Sequence, residues 1–190
     1  MVYPIVRYGD PVLRQKGKIV TTVTKEIRKL VEDLLETMNH ADGVGLAAQQ
    51  VGKALQIAVV DVTQVTNRES RMWIKDQAVD PLEYMPLVLL NPTLELTKKK
   101  VFGNEGCLSF PGLGFDVPRS TRIKVKTQTL EGKVFEFEAG GLLGRAIQHE
   151  YDHLHGKLFI DHLDSEGKQE IKADLNLLLQ GKEIPQRESE

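Results

Sequence analysis

Cysteine is nearly absent from this 190-residue chain: Cys107 stands alone, so no internal disulfide can form. A lone thiol in a reducing compartment is a small buried residue, a nucleophile or a metal ligand, and burial is its ordinary role. No apolar run approaches the roughly 20 residues that a membrane span needs. The opening Met1-Val2-Tyr3-Pro4 lacks the charged and then apolar order of a signal peptide, so a cytoplasmic protein is expected. Charge of one sign is lacking too. Lys and Arg number 25 against 27 Asp and Glu, and a net charge of −2 gives no ground for a nucleic-acid or membrane-surface partner. The compact run Lys98-Lys99-Lys100 fits a solvated turn or strand end. Internal repeats and linkers are also missing. Residues 1–190 therefore read as a single domain with enough chain for a full core, and the charged stretch 182–190, with Pro185, is expected to fray.

What is present alternates between helical and strand patterns. Asp10-Pro11 reads as an N-cap followed by proline in the first turn, with Gly17 closing a short turn. Thr24 can cap a helix in which Ile27, Leu30, Val31, Leu34, Leu35 and Met38 recur at helical spacing. The apolar runs 55–62 and 87–91 read as buried strands, with the long polar stretch 64–85 between them as an excursion over the surface that Trp73 could anchor. Residues 122–130 and 133–139 alternate, and Glu131-Gly132 suits a hairpin turn. Ile171, Leu175 and Leu178 mark a final helix stopped by Gly181. The pattern predicts an α+β fold.

The chemistry concentrates at Gln148-His149-Glu150-Tyr151-Asp152-His153. In this H-E-x-x-H pattern the two histidines are four apart, one above the other on a helix, and can grip one metal ion. Leu142, Ala146, His149 and His153 form one stripe, with Gly140 and Gly141 before the helix and Gly156 after it. Such a pair also occurs by chance on solvated helices, so the third ligand matters. Cys107, set between Gly106 and the Pro111-Gly112 break, lies in a loop that suits a surface site better than a core. As a thiolate it would complete three protein ligands with an open fourth position, the pattern of a catalytic site. Competing third ligands lie downstream at His162, Glu166 and Glu170, as an H-E-x-x-H endopeptidase would require, although His162 misses the extended zinc-protease spacing. A structural metal site or a binding module is the other alternative.

Gly43-Val44-Gly45-Leu46-Ala47-Ala48-Gln49-Gln50 carries little side-chain bulk, so its backbone can approach a ligand closely. It lacks the third glycine of a dinucleotide loop and the lysine of a phosphate loop. Together with Glu105-Gly106-Cys107-Leu108-Ser109 and the H-E-x-x-H segment, it resembles the three signature motifs of the peptide deformylases, in the same order. The surrounding strand, hairpin and helix pattern extends the likeness over most of the chain.

The resemblance implies a catalytic domain of mixed and antiparallel sheets wrapped around the metal helix, with an N-terminal amphipathic helix and a C-terminal one. It implies removal of the formyl group from the formyl-methionine of newly made proteins. Cys107, His149 and His153 would be the metal ligands, and the metal would lower the pKa of its bound water. Glu150 would act as general base and then acid. Leu108, through its backbone N–H, and Gln50, through its side-chain amide, would stabilise the oxyanion. Val44, Leu142 and Ala146 would line the methionine pocket, and Gly45 would let the substrate lie alongside as an added strand. Spacing alone points to zinc. The resemblance implies Fe2+ in the cell, with Zn2+, Ni2+ or Co2+ able to substitute, and oxygen sensitivity. It makes a ribosome contact near the exit tunnel an expectation too. Around the motifs, Glu105 and Arg119 are expected to pair and brace the Cys107 loop. Gln148 and Ser109 are candidates for supporting the ligands, and Asp152 either orients a ligand histidine or is solvated.

Overall fold

The computed structural model describes residues 1–185. A 3-10 turn at Pro11–Arg14 opens the chain, with the Asp10 side chain accepting from Val12 N–H. It ends before Gly17. Helix α1 (Lys25–His40) is capped as expected, by Thr24 accepting from Ile27 N–H. Its apolar stripe puts Leu30, Val31, Leu34 and Met38 in the core.

Strand β1 (Gly45–Ala47) passes through a 3-10 turn, Ala48–Val51, into β2 (Ile57–Val60), shorter than the 55–62 run suggests. The polar stretch 64–85 is more than a surface excursion. It holds β3 (Ser70–Ile74) and β4 (Gln77–Val79), a hairpin whose tip residues Lys75 and Asp76 both have positive φ. In β3 only Met72 is fully buried, so there was too little alternation to reveal a strand. Strand β5 (Leu87–Leu96) runs beyond Asn91, through an irregularity between Leu90 and Thr93. There Asn91 turns to φ 49° and its amide bonds both the N–H and the carbonyl of Val20. Strands β6 (Lys100–Gly106) and β7 (Gly114–Ser120) form a separate two-stranded sheet around the Cys107 loop, where the sequence had suggested only a loop. The expected hairpin is β8 (Arg122–Gln128) and β9 (Val134–Gly140), with Gly132 at φ 77° in the turn.

Helix α2 (Gly141–Leu154) follows at once. The expected final helix is α4 (Lys172–Leu179), and a short α3 (Ser165–Glu170), capped by Asp164, precedes it. Of the tail expected to fray, 186–190 lies outside the described residues. Within 182–185, Ile184 packs on the cluster around Phe110, Phe159 and Leu178.

The main sheet runs β1-β2-β5-β8-β9-β3-β4, with every neighbouring pair antiparallel. Alternation along β2 sorts its two faces. Ile57 and Val59 pack with Leu34 and Met38 of α1, whereas Ala58 and Val60 pack with Leu143 and Ile147 of α2. The sheet is thus sandwiched between the two long helices. Helix α2 also touches β7 of the small sheet, which explains why most of it is buried.

Arg14 clips the first turn to the segment after α2. Its two guanidinium nitrogens donate to both oxygens of Asp161, which also accepts from Leu158 N–H at 3.0 Å. Partial burial pushes Asp161 up, but these hydrogen bonds outweigh it and hold the carboxyl below its ordinary range. Its contribution is therefore full above the unfolded pKa, about 3.9, and is lost as pH falls through the lower folded value. Both side chains are partly exposed, so we expect Asp161→Asn to lower Tm at pH 7 by only about 3 °C or less. Thermal melts should show that gap closing towards pH 3, and a gap that widens in acid would contradict the assignment.

Candidate active site

His149 and His153 both sit on α2 and are both buried, although imidazoles usually keep contact with water. Opposite them, the small sheet delivers Cys107. Strand β6 ends at Gly106, the chain turns with Phe110 N–H on the Cys107 carbonyl at 2.8 Å, and β7 starts at Gly114. One donor atom from each of Cys107, His149 and His153 lies within 4.8 Å of the others. Cys107 Sγ is 3.4 Å from His153 Nε2. Ligand bonds of about 2.0–2.3 Å in a tetrahedron give edges of about 3.5 Å, so this spacing fits a shared cation.

The charges fit one as well. Burial disfavours protonated His149, but hydrogen bonds to Cys107 and Glu105 draw its pKa well above the ordinary value. Burial, and then the charge of His149, push His153 well below. The two rings are thus pushed in opposite directions, His149 towards its charged form and His153 away from it. His153 Nδ1 is buried with no hydrogen-bond partner, so the second ring is positioned by packing and by its Nε2 contact with Cys107.

Glu105 is better connected than its expected pairing with Arg119 suggested. Its two oxygens accept from Arg119 Nε at 2.7 Å and Nη2 at 3.0 Å, and from Arg145 Nη1 at 3.0 Å. The fourth donor atom is His149 Nδ1 at 2.9 Å. A carboxylate there makes Nδ1 the donor and leaves Nε2 as the free lone pair, a familiar way to aim a metal-binding imidazole. Asp152 does not orient a ligand histidine. It pairs instead with Arg119 at 2.6 Å and His162 at 2.7 Å. That engagement turns His162 away from the cluster, and Glu166 and Glu170 are exposed on α3. Gln148 ties α2 to the end of β7, accepting from Ser120 N–H at 3.0 Å and donating to its carbonyl at 3.1 Å.

Glu150 is the next residue round the helix. Burial lifts its carboxyl to about 7, and Oε2 has no hydrogen-bond partner. A cation bound beside it would pull that value back down. Gly45 explains its placement. A Cβ there would strike Glu150 Oε1 and come within 2.9 Å of its Cγ and Cδ. Gln50 is fixed at both ends of its amide. Oε1 accepts from Ala47 N–H at 2.9 Å, which turns Nε2 towards Ser109 Oγ at 3.3 Å and Cys107 Sγ at 3.6 Å. The Leu108 N–H has no acceptor among the described residues.

These groups line a cleft of about 570 Å³ that also takes in Val44, Gly45, Leu142 and Ala146. His153 lies beneath its floor, 1% exposed. Two residues that we did not anticipate from the sequence belong here. Arg145 is buried and donates to the carbonyls of Val101, Gly103 and Val117 as well as to Glu105. Gly103 makes room for it, since a Cβ there would come within 2.8 Å of Arg145 Nη2. That pairing of a glycine with an arginine 42 residues away leaves no local pattern. Arg68, at one end of the cleft, donates to the Asn104 carbonyl at 3.2 Å.

The polypeptide deformylase family model matches residues 2–169. The chain belongs to this family. A peptide deformylase of Methylacidiphilum infernorum is 52% identical over 184 residues, covering 97% of this chain and 96% of that one. Among solved structures, the peptide deformylase of Thermus thermophilus is 37% identical with a TM-score of 0.79, covering 95% of this chain and 99% of that one. That of Ehrlichia chaffeensis in complex with actinonin is 31% identical with a TM-score of 0.80, covering 96% and 99%. As a deformylase, the chain is a metal-dependent hydrolase that removes the N-formyl group from the formyl-methionine of new proteins and releases formate. No helix among the described residues is long and apolar enough to cross a membrane.

Gly45→Ala is the sharpest test of the cleft's geometry. The methyl group must displace the Glu150 carboxyl, so turnover should fall by about 100-fold or more, while metal content stays at one per chain. Turnover within a factor of about two of the parent would show that Glu150 need not sit against Gly45.

Proposed function

We propose that residues 1–190 work as one catalytic unit in which Cys107, His149 and His153 hold a single divalent cation, Fe2+ in the cell. The observation that carries this reading is the convergence of their donor atoms beneath Glu150 and Gln50. A thiolate and two imidazoles suit iron(II) or zinc. Bound there, the cation would acidify a water and offset negative charge on the formyl oxygen.

The chain's own residues do the rest. Glu150 takes a proton from the attacking water, whose oxygen bonds to the formyl carbon. The carbonyl oxygen becomes an oxyanion, met by the Leu108 N–H and by Gln50 Nε2, whose direction the Ala47 N–H has already set. Glu150 then gives its proton to the amine nitrogen as the C–N bond breaks, and formate leaves. The free edge of β1 offers N–H and carbonyl groups to an extended peptide. Val44, Leu142 and Ala146 receive the methionine side chain, with the stem of Arg145 beside them. We place this work in the cytoplasm, where chains leave the ribosome exit tunnel.

Anaerobic turnover of a formyl-Met tripeptide, with its acetyl-Met analogue as control, tests the reading. Formate release with little deacetylation is expected, and no formate from fully metal-loaded protein would sink it. Glu150→Gln should keep its metal and lose about 10²- to 10⁴-fold in turnover. Full turnover in that variant would exclude Glu150 as the proton carrier.

A further inference from the structure

The groove continues past the donor cluster. Beyond Asp42 a second hollow of about 320 Å³ opens, lined by Tyr3, Ile5, Arg7, His40, Leu108 and Pro111 among others. Leu108 and Pro111 line both hollow and cleft, so the two are continuous along the Cys107 loop. Three backbone donors fix its far wall. Tyr3 N–H donates to Thr37 Oγ1 at 2.9 Å, Val6 N–H to the Gln50 carbonyl at 2.8 Å and Tyr8 N–H to the Ser109 carbonyl at 2.9 Å. Tyr3 and Ile5, half-buried, pack on the α1 cluster and leave an apolar dent with exposed Arg7 and His40 at the rim.

The direction of a bound chain follows from β1. The reacting groups gather at one end of the cleft segment 42–45, because Glu150 abuts Gly45 and Gln50 is tied to Ala47. A peptide with its formyl end there meets β1 at Gly45 and runs back past Val44 and Gly43 to Asp42. Ala41 and His40 come next, and both line the hollow. An extended peptide advances about 3.3 Å per residue. The wall beyond Gly45 is a turn rather than a strand, with Asp42 at φ 52°. The fourth substrate residue, counting formyl-methionine as the first, therefore reaches at least the Asp42 end. Alternation then helps. The first side chain faces Leu142 and Ala146 of the α2 cluster, so the fourth faces the opposite side of the sheet, where Tyr3 and Ile5 lie with α1.

We propose that the hollow between Tyr3, Ile5 and Pro111 is a subsite for an apolar side chain at the fourth position of the formylated chain. The proposal rests on the deformylase reading of the cleft. It makes the N-terminal segment a part of substrate selection, with affinity gained from residues remote from the scissile bond.

The test compares formate release from formyl-Met-Ala, formyl-Met-Ala-Ser-Leu amide and its counterpart ending in glycine. The leucine peptide should exceed the glycine peptide by about tenfold in kcat/KM, mostly through KM. Ile5→Ser and Tyr3→Ser should each erase that gain and leave formyl-Met-Ala turnover unchanged. Equal values for the two long peptides in the parent protein, with formyl-Met-Ala still turned over, overturn the subsite alone. Absence of formyl-Met-Ala turnover in the metal-loaded parent overturns the cleft reading beneath it. A leucine gain that survives both substitutions also refutes the subsite and moves the downstream chain to the Arg68 end. A peptide with a photoreactive leucine at the fourth position gives a readout free of folding effects. Its adducts with the parent protein should map to residues 2–7 or 108–111, and adducts near Arg68 and Asn104 would refute the assignment.

Discussion

The carboxylate of Glu105 is the interaction on which the site depends. Burial alone would push it towards the neutral acid, but His149 and the Arg119 guanidinium hold it down at about 2. Burying such a charge costs several kcal/mol unless every lone pair is used, and removing one partner of a buried pair typically costs about 3–5 kcal/mol. The network joins three elements: Glu105 on β6, Arg119 on β7, and Arg145 and His149 on α2. The same bonds that neutralise Glu105 therefore lock the small sheet onto the helix. They bring Cys107, two residues from Glu105, opposite His149 and His153. Assembly of the donor set and satisfaction of the buried charge are one event.

Around that locked centre the groups that would meet substrate are held more openly. Gln50 is aimed by the Ala47 N–H on one side of its amide and by Ser109 and Cys107 on the other, and Glu150 is kept in place by the emptiness of Gly45. The free edge of β1 needs no side chains to bind an extended chain, because its backbone groups suffice. A rigid donor set beside an unpaired strand edge suits an enzyme that must treat the ends of many different sequences alike.

Much of this was legible in the sequence because it is local. Helical spacing revealed α1 and α2, Thr24 and the Glu131-Gly132 turn marked boundaries, and H-E-x-x-H announced two donors on one face. The three motifs together led to the family. What escaped depends on partners far along the chain. The strands β6 and β7 are rich in polar residues because they face a cleft and water, so no alternation betrayed them. The hairpin of β3 and β4 buries only Met72 fully. Asp152 looked like a support for a ligand histidine because of its position on the helix, yet Arg119 and His162 claim it. Arg145 carries no local signal, because nothing nearby in the sequence shows that Gly103 leaves space for it.

On the proposed reading one thiolate and two imidazoles share the metal. X-ray absorption at the metal edge of the anaerobically loaded protein tests it most directly. The account predicts one sulfur at about 2.3 Å and two imidazole nitrogens at about 2.0–2.1 Å, with any remaining ligand a light atom. A spectrum fitted by nitrogen and oxygen alone, without sulfur, would contradict it.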